Sequence, residues 1–254
     1  MKTVSDIIQE TISTYKTHIK TYVPYSILIN LISIGISIAT AVVTIFGFKM
    51  IGWREIAQAN PLYFAVLGLI MIASIVFSTF VGAAFARVIN KTIMKTQPES
   101  IAKELGDVRP IFWSVLLISI VTPLISLGGL LLLIIPGIIF SIWFSFAPTA
   151  VALEGKKTKE ALTYSKSLVM GRWFQVLWYI LAPSFVFMII GMVISGIVNI
   201  PSSIAPDNVI VTIITTLLSL ATTIILTPLY SIPFILAYHE FKNNPVATPV
   251  APQN

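Results

Sequence analysis

The chain alternates between long apolar runs and short segments in which polar and charged residues cluster. Uncharged runs of about 18 residues or more recur, which is typical of helices that cross a membrane. The pattern predicts six spans, at residues 23–48 and 62–89, two within the apolar block 111–153, and at 173–198 and 209–239. The alternating strands of a membrane β-barrel are not seen. The predicted fold is therefore all-α, a polytopic integral membrane bundle.

The block 111–153 must turn once if it holds two spans. Glycine pairs often interrupt helices, so Gly128-Gly129 is one candidate for the turn. Pro136-Gly137 is the other, unless this pair only kinks the fourth helix. A helix over 209–239 would be about 46 Å long, which exceeds a hydrocarbon core of about 30 Å, so it must tilt, kink or project.

Three shorter segments are basic and amphipathic, at residues 1–22, 97–109 and 158–170. In the first, one helical face carries Ile8, Ile12, Tyr15, Ile19 and Tyr22. We expect these segments to form interfacial helices on the cytoplasmic surface. The predicted organisation is thus an interfacial helix over 1–22, a six-span domain over 23–242 and a disordered Pro-rich tail over 243–254.

Charge is scarce and unevenly placed. The 254 residues are 56% hydrophobic and 10% charged, whereas soluble domains carry about 25% charged residues. With six spans, fourteen of the sixteen Lys and Arg residues fall on one side, leaving Lys49 and Arg54 on the other. Basic loops stay in the cytoplasm, which predicts a protein of the cell membrane with both termini inside. The net charge of +6 then reflects topology, and no nucleic-acid partner is expected. Abundant lysine and isoleucine favour a prokaryotic source.

The segment 147–173, between the fourth and fifth spans, concentrates the polar features. Gly155 is placed to end one helix, Thr158 to cap the next and Gly171 to end it. The short helix between them would lie at headgroup level with its lysines facing outward. The candidate residues for binding anionic lipid or a protein partner are Glu154, Lys156, Lys157, Lys159, Lys166, Arg172 and Trp173.

The same region carries a recognisable motif. Its residues are, in order, Pro136-Gly137, Pro148, Leu153-Glu154-Gly155, Ala161-Leu162, Ser165, Leu168 and Gly171-Arg172-Trp173. The motif resembles the hallmark of the glycerophosphodiester phosphodiesterase membrane-domain family, whose relatives include YciC-like prokaryotic membrane proteins of unknown function. The late segment PLYSIPFILAYHEFK and the amphipathic N-terminus extend this resemblance over nearly the whole chain. It implies the membrane part only, because two histidines and no room for a barrel exclude the catalytic domain.

Few residues could carry catalysis or hold a metal. His18 and His239 are the only histidines and cysteine is absent, so a metal site would lack ligands. No nucleophile motif or phosphate-binding loop occurs. Glu154 and Glu160 could be imagined as an acid–base pair, but roles at helix ends fit them better. We expect no enzyme, metal or cofactor.

The sequence favours a non-catalytic multi-pass protein that organises anionic lipid or a protein partner at the cytoplasmic leaflet. The alternative is a transporter, or a transporter subunit, for a lipid or small molecule. No predicted span has a charge at its centre, where ion-coupled carriers usually keep one. The sixth span does carry a hydroxyl stripe that would line a polar path or serve helix packing, formed by Thr212, Thr216, Ser219, Thr223 and Thr227.

Overall fold

A computed structural model describes residues 1–45, 61–205 and 208–245. The regular elements in these ranges are all helical, which confirms the predicted all-α class. A 3-10 turn at Arg109–Ile111 joins α3 to α4. The helices are α1 Val4–Ile45, α2 Pro61–Ile93, α3 Ile101–Val108, α4 Phe112–Leu132, α5 Ile134–Trp143, α6 Ala147–Glu154, α7 Thr158–Val169, α8 Trp173–Ile204 and α9 Val209–Asn243.

Five helical stretches of the described chain are long and apolar enough to cross a membrane. They are Ile72–Ile93, Ile101–Leu131, Ile134–Glu154, Trp173–Ile204 and Val209–Asn243, and they correspond to the second to sixth predicted spans. The first predicted span is helical as far as Ile45, and its last three residues lie outside the described ranges. So do the loop that holds Lys49 and Arg54 and most of the predicted tail. Helices of this length and composition indicate a membrane protein.

The first helix has a different boundary from the predicted one. α1 continues through residue 22, where an interfacial helix was expected to end. The helix is instead kinked at His18, whose backbone is non-helical with φ −117° and ψ 16°. Pro24 lies inside α1, and a proline disturbs the helical turn that precedes it because its ring meets a carbonyl four residues back. The amphipathic segment and the first span therefore form one kinked helix.

Helices α4 and α5 form a hairpin that turns at Leu133, so both predicted turn sites are wrong. Leu133 has extended backbone, with φ −162° and ψ 144°. Gly129 and Gly137 are needed for contact between the two legs: a Cβ on Gly137 would lie 2.5 Å from the Leu130 nitrogen, and one on Gly129 would lie 2.9 Å from the Gly137 Cα. Gly128 has nothing within 4 Å of its would-be Cβ. The glycines permit close approach and do not make the bend.

The segment around α7 follows the prediction closely. Gly155 ends α6 with φ 65° and Gly171 follows α7 with φ 82°, both in the left-handed region that glycine tolerates. The predicted cap is wrong by one residue: Lys157, with extended backbone, precedes the helix, and Thr158 is its first residue. No side-chain hydrogen bond caps this helix.

Packing is uneven along the bundle. α1 lies mainly against α9, which also packs on α8, while α2 contacts α1, α3 and α6. The core gathers at one end, where the fully buried Phe146 places its ring 5.4–6.0 Å from those of Phe234, Tyr238 and Phe241. At the other end α8 and α9 expose large aliphatic side chains such as Ile204, 78% exposed. A surface of this kind is suited to lipid.

Candidate functional site: the polar end of the bundle

The packed end of the bundle is also its charged end, which we call the polar end and define by residues 1–22, 87–111, 143–175 and 237–245. Hydrogen bonds between distant parts of the chain bring these ranges together. Tyr22 on α1 and Thr92 on α2 join their hydroxyls at 2.6 Å. The Lys2 amide donates to Glu240 Oε1 on α9 at 2.8 Å. The first and last helices therefore meet at this end.

Glu154, at the end of α6, is the centre of one polar cluster. Its Oε1 accepts hydrogen bonds from the Tyr238 hydroxyl and from Lys242 Nζ, the latter at 2.8 Å. Its Oε2 lies 3.5 Å from Lys156 Nζ. The motif Leu153-Glu154-Gly155 and the late segment PLYSIPFILAYHEFK are therefore in direct contact. Glu154 ties α6 to α9 rather than standing free for a ligand.

Lys156 is likewise engaged within the protein. Its Nζ donates to Glu160 Oε1 at 3.1 Å, and it lies 4.5 Å from the centre of the Tyr164 ring. The hydrogen bond to Glu160 raises the pKa of Lys156 above that of a free lysine. Lys166 is held by a second ring, with its Nζ 4.5 Å from the centre of Trp143.

Arg172 holds the ends of two helices. Its Nε donates to the carbonyl of Leu168 on α7 at 2.9 Å, and Nη2 donates to the carbonyl of Phe241 on α9 at 2.8 Å. Nη1 donates to the carbonyl of Asn244. Unpaired carbonyls at a helix C-terminus carry partial negative charge, which a guanidinium neutralises. Trp173 follows at the start of α8, 38% exposed.

Two of the predicted binding residues remain free. Lys157 and Lys159 are exposed, and neither forms an ion pair with any residue that the structure describes. Four further cations at the polar end share both properties, namely Lys16, Lys20, Lys95 and Arg109. The seven predicted binding residues thus divide into two free lysines, one exposed tryptophan at a helix start, and four that are occupied within the protein.

Sequence reasoning missed an ion pair whose carboxylate is fully buried. Glu104 is fully buried, and its Oε1 accepts from Lys91 Nζ at 2.6 Å and from the Glu99 amide at 3.0 Å. Arg87 Nη1 also donates to the Ala152 carbonyl at 3.2 Å. The available signal was helical spacing, since Glu104 lies three residues after Ile101 and four before Val108, on the apolar face of the short helix α3. A buried carboxylate normally has a cationic partner, which here lies on another helix.

Ser165 in the motif also has a structural explanation. Its fully buried hydroxyl donates to the Trp143 carbonyl at 2.7 Å and accepts from the Phe146 amide at 3.1 Å. These two groups flank the break between α5 and α6. Ser165 therefore satisfies backbone groups that the break leaves without helical partners.

A cleft of about 610 Å³ opens at the polar end. Its lining comprises His18, Thr21, Thr92, Lys95, Thr96, Gln97, Pro98 and Glu99. Lys95 has a left-handed backbone, with φ 58°, at the turn after α2. The other histidine, His239, does not line this cleft. Its Nε2 lies 2.5 Å from Asn90 Oδ1. Among the described residues, no three His, Asp or Glu side chains are grouped to hold a metal.

The predicted hydroxyl stripe lies on α9, and most of its hydroxyls bond to their own helix. Thr216 donates to the Thr212 carbonyl at 2.8 Å and Thr227 donates to the Thr223 carbonyl at 2.8 Å. Within the described part of the chain, one hydrogen bond joins the stripe to another helix, donated by Asn30 Nδ2 to Thr227 at 3.0 Å. This contact joins α1 to α9, as expected for helix packing.

Comparison with known proteins gives one match. No curated protein and no solved structure matches the chain significantly. Residues 59–240 match a family model described as a domain of unknown function, DUF7847. The matched range contains Glu154, Arg172 and their partners Tyr238 and Leu168. Because the range covers well over half of its length, the chain belongs to the DUF7847 family of proteins of unknown function.

Proposed function

We propose that this is a non-catalytic membrane protein that binds anionic lipid headgroups at the cytoplasmic leaflet through its polar end. The observation that carries the proposal is the set of six exposed cations that have no acidic partner within the described residues. Most carboxylates at this end already form ion pairs within the protein, such as Glu104 with Lys91, and Glu154 with Lys156 and Lys242. The uncompensated positive charge therefore faces outward.

The proposal includes an orientation. We place six spans in the cell membrane, with both termini and the segments 97–109 and 158–170 on the cytoplasmic side. The positive-inside rule supports this orientation, because the cations at the polar end far outnumber those in the loop near Lys49. The cytoplasmic leaflet carries anionic lipids, whose headgroups would then lie level with α3, α7 and Trp173. The resemblance to the glycerophosphodiester phosphodiesterase membrane domain also stays a prediction.

Lipid is favoured over a protein partner by the distribution of the free cations. They occur on α1, after α2, before α4 and around α7, and so are spread over several elements rather than gathered in one pocket. Each lysine near an anionic leaflet contributes about 1 kcal/mol. A dispersed set of charges suits a charged plane, whereas a protein interface normally has an aromatic or apolar centre. The transporter alternative has less support, since the threonine hydroxyls of α9 bond to their own helix.

The test is a titration with phosphatidylglycerol, read by native mass spectrometry of protein in mild detergent. Phosphatidylcholine, which has no net charge, is the reference lipid. We expect wild-type protein to prefer phosphatidylglycerol and the Lys157→Gln/Lys159→Gln variant to bind it about thirtyfold more weakly, from about 1 kcal/mol per lysine. Neither lysine side chain makes a hydrogen bond or an ion pair within the described protein, so the fold should not change.

The matched control is Glu99→Gln/Lys103→Gln. It also removes two charges, but those two form an exposed ion pair of 2.8 Å, so the net charge is unchanged. The control should bind phosphatidylglycerol as wild type does. Equal affinity of the wild-type protein for both lipids would overturn the proposal. If another protein co-purified in stoichiometric amount through the free lysines, and no lipid preference were found, a scaffold function would replace the lipid-binding proposal.

A further inference from the structure

The hairpin of α4 and α5 has an entirely apolar tip. Between Ser126 and Ser141 every residue is apolar, glycine or proline. The tip side chains are nevertheless exposed, with Leu131 at 89% and Ile134 at 70%. The connection between α8 and α9, by contrast, contains Asp207 and Asn208. A loop that reaches water normally contains polar residues, and this one contains none over fourteen positions of sequence.

The hairpin is also shorter than the neighbouring helices. α4 has 21 residues and so spans about 31 Å, whereas α8 and α9, with 32 and 35 residues, span about 48 and 52 Å. All three helices have one end at the polar end of the bundle. A hydrocarbon core is about 30 Å thick and helices tilt by about 20° on average. α4 therefore ends at or inside the far boundary of the core, while α8 and α9 extend well past it.

The outer face of α4 leads to the tip without a polar interruption. Large exposed side chains recur at helical spacing along this face, at Leu117, Ile120, Leu124, Leu127 and Leu131. These residues begin one or two turns from the polar end and finish at the turn. The surface of the tip is thus continuous with a face suited to lipid over its whole length.

The backbone of the turn is suited to an apolar medium. Leu133 N donates to the Gly129 carbonyl at 3.0 Å and Gly137 N donates to the Leu133 carbonyl at 3.1 Å. Pro136 has no amide hydrogen, so the first turn of α5 has one free donor fewer than usual. In hydrocarbon, an unpaired backbone group costs several kcal/mol, and a turn that limits such groups is favoured there.

We propose that the α4–α5 hairpin ends inside the membrane, with its tip in contact with the acyl chains of the leaflet opposite the polar end. The chain then enters and leaves this hairpin from the same side, so the third and fourth of the six spans proposed above form a re-entrant hairpin, and no loop is exposed on the other side. The occupant of the tip surface is lipid hydrocarbon. This inference requires only that the protein lies in a bilayer, and it does not depend on headgroup binding.

The chain has no cysteine, so single cysteines report their position without background. The test variants are Leu133→Cys at the turn and Ile134→Cys beside it, and the reagent is a charged, membrane-impermeant maleimide. Each variant is labelled in intact cells and in inverted vesicles, and then again after SDS denaturation, which sets full labelling. A thiol in hydrocarbon stays protonated and meets no charged reagent, so labelling should be at least about tenfold below that after SDS on both sides.

Two matched variants show that each compartment is sampled. Asn208→Cys, in the exposed connection at the far end, should react from one side, and Lys157→Cys, at the polar end, from the other. Labelling of Leu133→Cys from the same side as Asn208→Cys would show a full transmembrane hairpin and overturn the inference. Labelling from the same side as Lys157→Cys would show that the hairpin does not enter the bilayer. Size-exclusion chromatography of each variant excludes misfolded protein from the comparison.

Discussion

At Arg172 a single guanidinium serves backbone carbonyls from two helices. Its Nε and Nη2 donate to the carbonyls of Leu168 on α7 and Phe241 on α9. Its Cζ lies 4.8 Å from the centre of the Phe241 ring. The Gly-Arg-Trp motif places this side chain immediately after Gly171, whose left-handed backbone turns the chain toward α8. The arginine therefore connects helix ends within the protein.

Arg172→Lys should lower the thermal stability of the protein in detergent. A lysine keeps the charge but cannot donate in three fixed directions, and losing hydrogen bonds from a charged group costs about 2 kcal/mol. For a chain of this size we expect a fall of about 5 °C in the melting temperature, measured by intrinsic fluorescence.

Lys159→Gln is the matched control for this measurement. Lys159 is exposed and makes no ion pair among the described residues, so its loss should leave the melting temperature unchanged within error. If Arg172→Lys melted together with this control, the contacts of Arg172 would not be stabilising.

At the scale of elements, the α4–α5 hairpin depends on two glycines eight positions apart. Gly129 and Gly137 lie opposite each other, and Phe140 Cδ2 lies 2.8 Å from where a Cβ on Gly129 would stand. The turn itself uses Leu133, an ordinary residue in an ordinary extended conformation. The close contact, not the bend, is what demands glycine.

Gly137→Ala should loosen or destabilise the hairpin. Its methyl group would lie 2.5 Å from the Leu130 nitrogen and 2.7 Å from the Leu130 Cα, so backbone has to move. Overpacking of this kind costs about 1–3 kcal/mol. Gly128→Ala is the neighbouring control, since it has nothing within 4 Å and gains helix propensity. Limited proteolysis and melting in detergent should separate the two variants, and equal behaviour would refute the close contact.

Local signals in the sequence predict local structure well. The apolar runs predict the spans because a membrane helix must satisfy its backbone and bury its length in lipid. Gly155 and Gly171 predict helix ends because few other residues tolerate the left-handed backbone there. The turn at Leu133 was not predictable in the same way, because Leu133 carries no local turn signal and the neighbouring glycines serve the contact between the two legs.

The candidate site likewise has features that local sequence signals predict and features that depend on packing. Lys156 and Lys157 are adjacent and chemically identical, yet the first pairs with Glu154 and Glu160 and the second pairs with no described residue. Sequence alone identifies both as basic loop residues. Their difference depends on where α6 ends relative to Glu160 and Tyr164, which is a property of the packed protein.

At the scale of the whole molecule, charge and packing coincide. The end that holds most of the cations also holds the aromatic core around Phe146, while the other half of the bundle exposes aliphatic side chains. The fully buried carboxylate of Glu104 is tolerated there because Lys91 supplies a cationic partner. The helices are therefore tightly packed at the polar end, whereas the other end exposes apolar side chains that are suited to lipid.

Reporter fusions should reveal the orientation of this axis. Green fluorescent protein fused after residue 245 should fluoresce, and alkaline phosphatase at the same position should be inactive, because both results require a cytoplasmic location. Phosphatase fused after Asn208, between α8 and α9, is the matched control and should be active. The reverse pattern would place the polar end outside and remove the basis for headgroup binding in the cytoplasm.

The contact between the two ends of the chain has a consequence for biogenesis. Lys2 leaves the ribosome 238 residues before Glu240, which accepts its amide. The Tyr179 hydroxyl, which donates to the Lys2 carbonyl, also arrives late in translation. Until then the start of α1 lacks these contacts, and the insertion of α8 and α9 is what supplies them. A nascent chain stalled before this step would present an unfinished polar end to the quality-control machinery of the cell.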